Sequence, residues 1–260
     1  MGTVTSKDGT KIAYDKTGKE GPALILVLGA LNSRKSGAKL AKLLAARFTV
    51  ISYDRRGRGD STDTAPYSPQ CEVEDIAALI GAVGEPVCLY GHSSGAALAL
   101  EAAIKLHKKI GKLAIYEVPY ALDDNAIKAA TEYYKMLKKL LAAGRKDEAV
   151  ALFVRSVGVS DNQIQAMKRM PMWKGLEKLA PTLAYDSEVL GEGHALPAAR
   201  LLRITIPTLV MHGGAGAPFM RDAARAISEA IPQAQLRTLA HQTHGVSPKV
   251  LAPVLEEFFL

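Results

Sequence analysis

The chain has few cysteines and no long hydrophobic segment. Only two of its 260 residues are cysteine, Cys71 and Cys88, which excludes a disulfide framework and favours a reducing cytoplasm. No apolar stretch is long enough to cross a bilayer, and the first residues lack the apolar region of a signal peptide. These absences predict a cytoplasmic protein without a membrane anchor, and a hydrophobic content of 48% is sufficient for a real core.

Aromatic residues do not alternate with the positive charges. The formal net charge is +7, from 33 basic and 26 acidic residues, but lysines such as Lys105, Lys109, Lys135 and Lys139 are spread along helical faces. A stacking platform for nucleic acid interleaves aromatic side chains with its cations, and these lysines show no such interleaving. The basic residues are therefore interpreted as a solvated surface, and no nucleic-acid partner is expected.

The stretch that carries most information is Gly91-His92-Ser93-Ser94-Gly95. An apolar run ending in Leu89-Tyr90 precedes it, and a run of small helix-forming residues follows. A strand, a sharp turn and a helix with G-x-S-x-G at the turn are typical of a nucleophilic serine held clear of a sheet. The glycines are expected because a Cβ at either position would collide with a neighbouring element. Ser93 is thus the candidate nucleophile, although a helix-capping serine is the simpler alternative.

Apolar runs and helical periodicity alternate along most of the chain. After an antiparallel hairpin over residues 2–16, this alternation predicts an α/β fold with a mainly parallel, eight-stranded sheet and helices on both faces. The alternation stops between residues 119 and 204, where only helical spacing and prolines occur. We therefore expect a core of residues 1–118 and 205–260 and an inserted helical lid of residues 119–204.

A serine nucleophile needs a base, and the base needs an orienting acid. His244 follows the last strand, at the sheet edge where Ser93 is expected, and is the preferred base. His241 is the rival, and His212 ends the preceding strand at the same edge. No carboxylate or cysteine accompanies these histidines at ligand spacing, so no metal and no other cofactor is expected.

Taken together, the chain resembles the α/β-hydrolase fold family, specifically its lidded serine esterase-like members. The resemblance rests on the serine turn, the Asp54-Arg55-Arg56-Gly57-Arg58-Gly59 corner, the position of the insertion and the terminal Gln242-Thr243-His244 loop. It covers nearly the whole chain. It implies an oxyanion hole formed by the backbone N–H groups of Ser94 and, after the third strand, of Ala30 or Leu31.

The chain departs from many family members at two loops. The third-strand loop has Leu28-Gly29 where many have His-Gly, and residues 213–218, where the acid usually lies, contain no carboxylate. Some members place the acid after the preceding strand, where this chain has Glu117. Glu117 is therefore the preferred acid, with Asp123, Asp124, Asp222 or a Ser–His dyad as the alternatives.

The expected function is hydrolysis of a small carboxylic ester or lactone through an acyl-enzyme, in a monomer or homodimer. The alternative is a ligand-binding or catalytically altered relative, inactive or lyase-like, supported by the empty acid loop and by Leu28. Further residues are expected to line the substrate pocket, drawn from the lid, the third-strand loop and the histidine-bearing loops: Leu28, Leu31, His92, Met172, Trp173, His212 and His241.

Overall fold

A computed structural model describes residues 1–260. Its centre is one eight-stranded sheet in the order β1-β2-β4-β3-β5-β6-β7-β8. The strands are Gly2–Thr5 (β1), Lys11–Thr17 (β2), Ala23–Val27 (β3), Thr49–Tyr53 (β4), Val87–His92 (β5), Ile110–Tyr116 (β6), Thr208–Gly213 (β7) and Ala234–Leu239 (β8). The first two strands are antiparallel to their neighbours, and all other pairs are parallel.

Eleven α-helices connect or flank the strands. They are Ala38–Leu44 (α1), Pro69–Val83 (α2), Ser94–Lys105 (α3), Asp124–Ala142 (α4), Lys146–Ser156 (α5), Asp161–Lys168 (α6), Met172–Leu179 (α7), Leu183–Leu190 (α8), Ala198–Leu201 (α9), Pro218–Ala230 (α10) and Pro248–Phe259 (α11). Short 3₁₀ turns occur at Arg34–Gly37, Ala180–Thr182 and Glu192–His194. No helix is both long enough and apolar enough to span a bilayer.

The sheet has a separate hydrophobic layer on each face. One face packs against α2, α3 and α10 in a cluster of 32 buried residues, and the other packs against α1 and α11 in a cluster of 18. Strand β3 is apolar along its whole length and β4 is buried at every position, because both faces of these strands are covered. The predicted fold, with a mainly parallel sheet covered on both faces, is confirmed.

Residues 119–204 form a helical insertion between β6 and β7. The insertion contains α4 to α9 and adds no strand to the sheet. It has a hydrophobic cluster of its own, which includes Leu137, Val150 and Trp173. The division into a core and a lid of residues 119–204, and the action of this segment as a lid, stay predictions.

Candidate active site

Ser93 occupies a strained turn between β5 and α3. Its backbone has φ 57° and ψ −130°, an arrangement that non-glycine residues rarely adopt. The side chain of Ser93 does not cap α3, so the capping alternative is not supported. The backbone N–H of Ser93 donates to the carbonyl oxygen of Tyr116 at 3.0 Å, which fixes the turn to the end of β6.

The two glycines beside Ser93 are required by close packing. A methyl group at Gly91 would lie 2.5 Å from the Cα of Ala96 in α3. A methyl group at Gly95 would overlap the carbonyl oxygen of Val27 at the end of β3. The turn therefore fits between helix and strand only because these positions have no Cβ, as the sequence pattern predicts.

His244 is bonded to the carboxylate of Glu117. The distance from His244 Nδ1 to Glu117 Oε2 is 2.8 Å, and the Glu117 side chain is fully buried whereas that of His244 is 39% exposed. Burial acts to raise the pKa of Glu117, but hydrogen bonds from His244 and from the Gly213 N–H outweigh it and lower the pKa. The carboxylate therefore stays ionised and can orient the imidazole.

The glycine-rich loop of residues 213–218 has no carboxylate of its own and contacts the carboxylate of Glu117. The N–H of Gly213 donates to Glu117 Oε1 at 2.8 Å. A methyl group at Gly216 would lie 2.7 Å from the same oxygen, so the glycine leaves the space that the carboxylate fills. Glu117 itself has a positive φ of 47° at the end of β6. The loop thus binds a carboxylate that comes from the end of the preceding strand, β6.

The loop after β3 lies directly against Ser93. A methyl group at Gly29 would lie 2.8 Å from the Cβ of Ser93 and 3.4 Å from its Oγ. The N–H groups of Ala30 and Ser94 make no hydrogen bond within the protein, and both residues line the same cavity as Ser93. Two free donors beside a nucleophile can stabilise a negative charge that develops on a substrate oxygen.

A buried network of charges lies behind this loop. Arg58 donates to the Gly29 carbonyl oxygen at 2.7 Å and to both oxygens of Asp186 at 2.9 Å, and Asp186 accepts from the Ser94 hydroxyl at 2.8 Å. Arg55 also donates to Asp186, at 2.7 Å. Burial acts to raise the pKa of Asp186, but the two guanidinium groups and the hydroxyl outweigh it and lower the pKa.

The cavity beside Ser93 has a volume of about 790 Å³. Its volume lies within the range of small-molecule sites, and 15 of its 27 lining residues are hydrophobic. No lysine or arginine lines it, although the chain contains 33 of them. Four carboxylates line the cavity: Glu117, Asp123, Asp186 and Asp222. The cavity therefore suits a largely apolar ligand without a negative charge.

None of the alternative acids is hydrogen-bonded to His244. Asp123 caps α4 by accepting from the Ala126 N–H at 2.9 Å, and Asp124 is exposed in the first turn of that helix. Asp222 lies on α10 and pairs with Arg221 at 3.3 Å. Among the candidate acids, only Glu117 is hydrogen-bonded to the imidazole of His244.

The two lid residues expected in the pocket lie elsewhere, which corrects that expectation. Trp173 is 2% exposed and packs in the hydrophobic cluster of the insertion, while Met172 is 55% exposed at the start of α7. Trp173 on α7 packs with residues of the other insertion helices, and neither Trp173 nor Met172 is among the residues that line the cavity.

The three accessory histidines also lie outside the cavity lining. His212 is buried and bridges β7 to β8 through Thr238 Oγ1 at 2.9 Å, and His241 is exposed with φ 59°. His92 lies against His244, with ring centres 4.8 Å apart, and its Nε2 donates to the His244 carbonyl oxygen at 2.9 Å. Burial, and next the nearby His244, lower the pKa of His92 to about 4. None of these three histidines therefore lines the cavity beside Ser93.

The side chains of the third-strand loop likewise do not line the cavity. Leu28 extends toward Gly37, where a methyl group would lie 3.3 Å from its Cδ1. Leu31 has φ 56° and packs against the hydrophobic cluster of the insertion. The loop therefore contributes backbone N–H groups to the site, while its leucines contribute packing.

Most of the cavity wall was not predicted from the sequence. It comes from the first residues of the insertion and the facing side of α4, from α8, and from the start of α10: Pro119, Tyr120, Leu122, Ala126, Ala130, Tyr133, Leu183, Asp186, Leu190, Phe219 and Met220. Ala126, Ala130 and Tyr133 recur at helical spacing, so one face of α4 was visible in the sequence. Nothing in the sequence indicated that this face borders Ser93.

The comparisons with known proteins agree with this architecture. The sequence model of the α/β hydrolase family matches residues 27–254, which is most of the chain. This chain belongs to the α/β hydrolase family. An α/β hydrolase from Sphaerobacter thermophilus, known from its crystal structure, is 47% identical, with a TM-score of 0.90 and coverage of 100% of both chains. Solved structures of two esterases and a bromoperoxidase are 18–22% identical to this chain, and their similarity shows only that the fold is shared.

Two curated relatives of this α/β hydrolase match it over part of their length. The probable protein phosphatase methylesterase 1 of Caenorhabditis elegans is 29% identical over 164 residues, or 59% of this chain and 44% of that protein. The probable oxidoreductase EphD of Mycobacterium tuberculosis is 37% identical over 98 residues, or 35% of this chain and 17% of that protein. This chain thus spans less than half the length of either relative.

Proposed function

We propose that this α/β hydrolase is a serine hydrolase that cleaves small carboxylic esters or lactones through an acyl-enzyme. The observation that carries the proposal is the hydrogen-bonded His244–Glu117 pair, which lines the same cavity as the Ser93 hydroxyl and two N–H groups without partners in the protein. A serine, a base, an orienting acid and paired donors are the parts that acyl transfer requires.

The reaction proceeds in two halves. Ser93 Oγ attacks the ester carbonyl carbon while His244 accepts the hydroxyl proton, and the N–H groups of Ala30 and Ser94 hold the oxyanion. His244 then gives the proton to the departing alcohol oxygen, which leaves Ser93 acylated. Water then attacks the acyl carbon while His244 accepts a proton from it, and His244 returns that proton to Ser93 Oγ as the carboxylic acid is released. Glu117 stays ionised throughout and stabilises the imidazolium.

The non-catalytic alternative loses its main support. It rested on the missing carboxylate of residues 213–218 and on Leu28, but Glu117 fills that position from β6 and the third-strand loop retains free backbone donors. The relative described as a methylesterase is consistent with ester hydrolysis. Location in the cytoplasm, the oligomeric state, the absence of a cofactor and the lid action of residues 119–204 stay predictions.

The test is hydrolysis of p-nitrophenyl acetate and butyrate beside the Ser93→Ala variant. We expect turnover by the wild type, labelling of Ser93 by a fluorophosphonate, and neither in the variant. Mass spectrometry of the enzyme mixed with p-nitrophenyl butyrate should show one added butyryl group on the peptide containing Ser93. Equal rates for wild type and variant, with no labelling, would refute the proposal, and a wild type that binds but never acylates would favour the lyase-like or binding alternative.

A further inference from the structure

All three carbonyl oxygens at the start of the loop after β3 accept hydrogen bonds from side chains. Leu28 O accepts from Arg55 at 3.4 Å, Gly29 O from Arg58 at 2.7 Å, and Ala30 O from Asn32 at 2.9 Å. The Arg58 contact is the shortest and the most buried of the three. The conformation of this loop is therefore imposed by side chains from outside the strand.

The bond to Gly29 O also fixes the direction of the Ala30 N–H. The Gly29 carbonyl and the Ala30 N–H belong to one planar trans peptide, so they point in opposite directions. When Arg58 holds the oxygen on its side, the N–H must point to the other side. Ala30 lines the cavity, and its N–H has no partner within the protein.

Arg58 is itself held in place. Its side chain is 1% exposed, and its Nη2 donates to both oxygens of Asp186 at 2.9 Å while its Nη1 donates to Gly29 O. Asp186 Oδ1 also accepts from the Ser94 hydroxyl at 2.8 Å. One chain of hydrogen bonds thus joins the Gly29–Ala30 peptide to Ser94.

The planar guanidinium is suited to this bridge. Its donors are fixed in one plane, so the positions of Asp186 and Gly29 O become coupled through a rigid group. A lysine ammonium at the same position retains the charge but lacks this fixed geometry. Buried ion pairs are weak evidence for stability, because a well-packed apolar replacement is often as stable. Stability alone therefore does not explain the arrangement.

We propose that Arg58 is a positioning residue that presets the oxyanion hole, aligning the Ala30 N–H through the Gly29 carbonyl and linking it through Asp186 to Ser94. The inference rests on the proposed function, because the oxyanion in question is the one formed in the proposed acyl transfer. Arg58 contacts no substrate atom in this scheme. Its effect should therefore appear in the transition state and not in substrate binding.

The experiment compares Arg58→Lys with the wild type in hydrolysis of p-nitrophenyl butyrate. Loss of a complete oxyanion donor costs about 10²- to 10³-fold in kcat, so misalignment of one donor should lower kcat by about 10- to 100-fold with KM nearly unchanged. A trifluoromethyl ketone provides the second readout. Ser93 Oγ bonds to its carbonyl carbon and the proton moves to His244, so its oxygen becomes an oxyanion, and its inhibition constant should rise by the same factor as kcat/KM falls.

Arg56→Lys is the matched control. Arg56 is equally buried and forms a paired contact with Asp75 at 2.7 and 2.9 Å, but it touches neither Asp186 nor the loop after β3. We expect a similar change in melting temperature and little change in kcat. Equal losses of kcat in both lysine variants, or an unchanged trifluoromethyl ketone constant in Arg58→Lys, would overturn the proposal.

A second variant keeps the test decisive if Arg58→Lys does not fold. Arg58→Met combined with Asp186→Asn removes one positive and one negative charge together, so neither is left buried without its partner. It should show the same loss in kcat and in ketone affinity, and wild-type kinetics in this variant would refute the inference. An inactive wild type that forms no ketone adduct would instead refute the proposed function, so the two failures are distinguishable.

Discussion

Replacing Glu117 with glutamine changes one atom of the site, and we expect it to cause a large loss of activity. The variant retains the length of the side chain, so Oε1 can still accept from the Gly213 N–H, now 2.8 Å away. The opposite amide orientation would place two donors against each other and leave a buried N–H without an acceptor, which costs about 1–3 kcal/mol. The side-chain NH₂ must therefore face His244.

That orientation gives His244 the wrong tautomer. In the wild type, the Glu117 carboxylate accepts a hydrogen bond from the N–H at His244 Nδ1, which leaves Nε2 free to accept the proton of Ser93. An amide NH₂ donates to Nδ1 instead, so the ring proton resides on Nε2. Nε2 then cannot act as a base. In a well-studied serine triad the equivalent change lowers kcat by about 10⁴-fold, which corresponds to about 5.5 kcal/mol of activation free energy.

Steady-state hydrolysis of p-nitrophenyl butyrate by Glu117→Gln measures this effect. We expect kcat to fall by about 10³- to 10⁴-fold while KM changes little, because the carboxylate acts on the base and not on the bound substrate. Melting curves must show that the variant is folded. Asp222→Asn is the control, since Asp222 lines the same cavity without contacting His244, and it should retain near wild-type kcat.

The result that would refute this reasoning is a folded Glu117→Gln enzyme with a kcat within about threefold of the wild type. A larger loss in Asp222→Asn than in Glu117→Gln would contradict it equally, and would transfer the role of the acid to α10. Glu117→Asp adds a graded comparison. Its shorter side chain retains the charge but cannot reach both partners, so its loss should be smaller than that of the glutamine variant.

Three further predictions follow from the same geometry. Gly216→Ala should lower kcat by about 10- to 100-fold because its methyl group must displace the Glu117 carboxylate, whereas Gly214→Ala, with its nearest neighbour at 3.4 Å, should remain active in the same assay. His92→Gln should give a shallower fall in melting temperature between pH 6.5 and 4. Burial lowers the pKa of His92 to about 4, so between pH 6.5 and 4 the unfolded chain binds a proton at this residue that the folded chain does not. The contribution of His92 to the free energy of unfolding is therefore fully present above pH 6.5 and is lost as the pH falls toward 4, by at most about 3 kcal/mol. The glutamine still donates to the His244 carbonyl, and an unchanged pH slope would contradict the assignment. Finally, kcat/KM for a p-nitrophenyl hemisuccinate should be at least about tenfold below that for the neutral butyrate, since no lysine or arginine lines the cavity, and a preference for the anion would contradict this account.

The turn at Ser93 could be predicted because its chemistry is local. Close approach of a strand and a helix excludes Cβ atoms at two fixed positions, and Gly91 and Gly95 record that constraint directly. The alternation of apolar runs and helices predicted the sheet for the same reason, since both signals lie within a few residues. The order of the parallel strands then places the loop ends of β5, β6 and β8 at one edge.

The cavity wall could not be predicted because helical periodicity does not identify the partner of a face. Trp173 was expected to line the pocket since it is large and apolar, but the same property places it in the hydrophobic cluster of the insertion. Small side chains such as Ala126 and Ala130 form the wall instead, where their size leaves room for a ligand. Sequence periodicity indicates that one face of a helix is buried, but only the tertiary packing determines which element or cavity that face borders.

Asp186 shows why the insertion and the core cannot be treated as separate parts. Arg55 and Arg58 are both buried in the core, and Glu72 supplies only one carboxylate beside them. The second comes from α8 of the insertion, 128 residues after Arg58. Without Asp186, one of the two buried guanidinium groups would have no carboxylate partner, and the Ser94 hydroxyl would lose its hydrogen-bond acceptor. The insertion must therefore pack against the core for these buried charges to be paired. The sequence indicates only that the insertion covers the pocket. Through the contact of Asp186 with Ser94, the insertion is also part of the structure around the nucleophile.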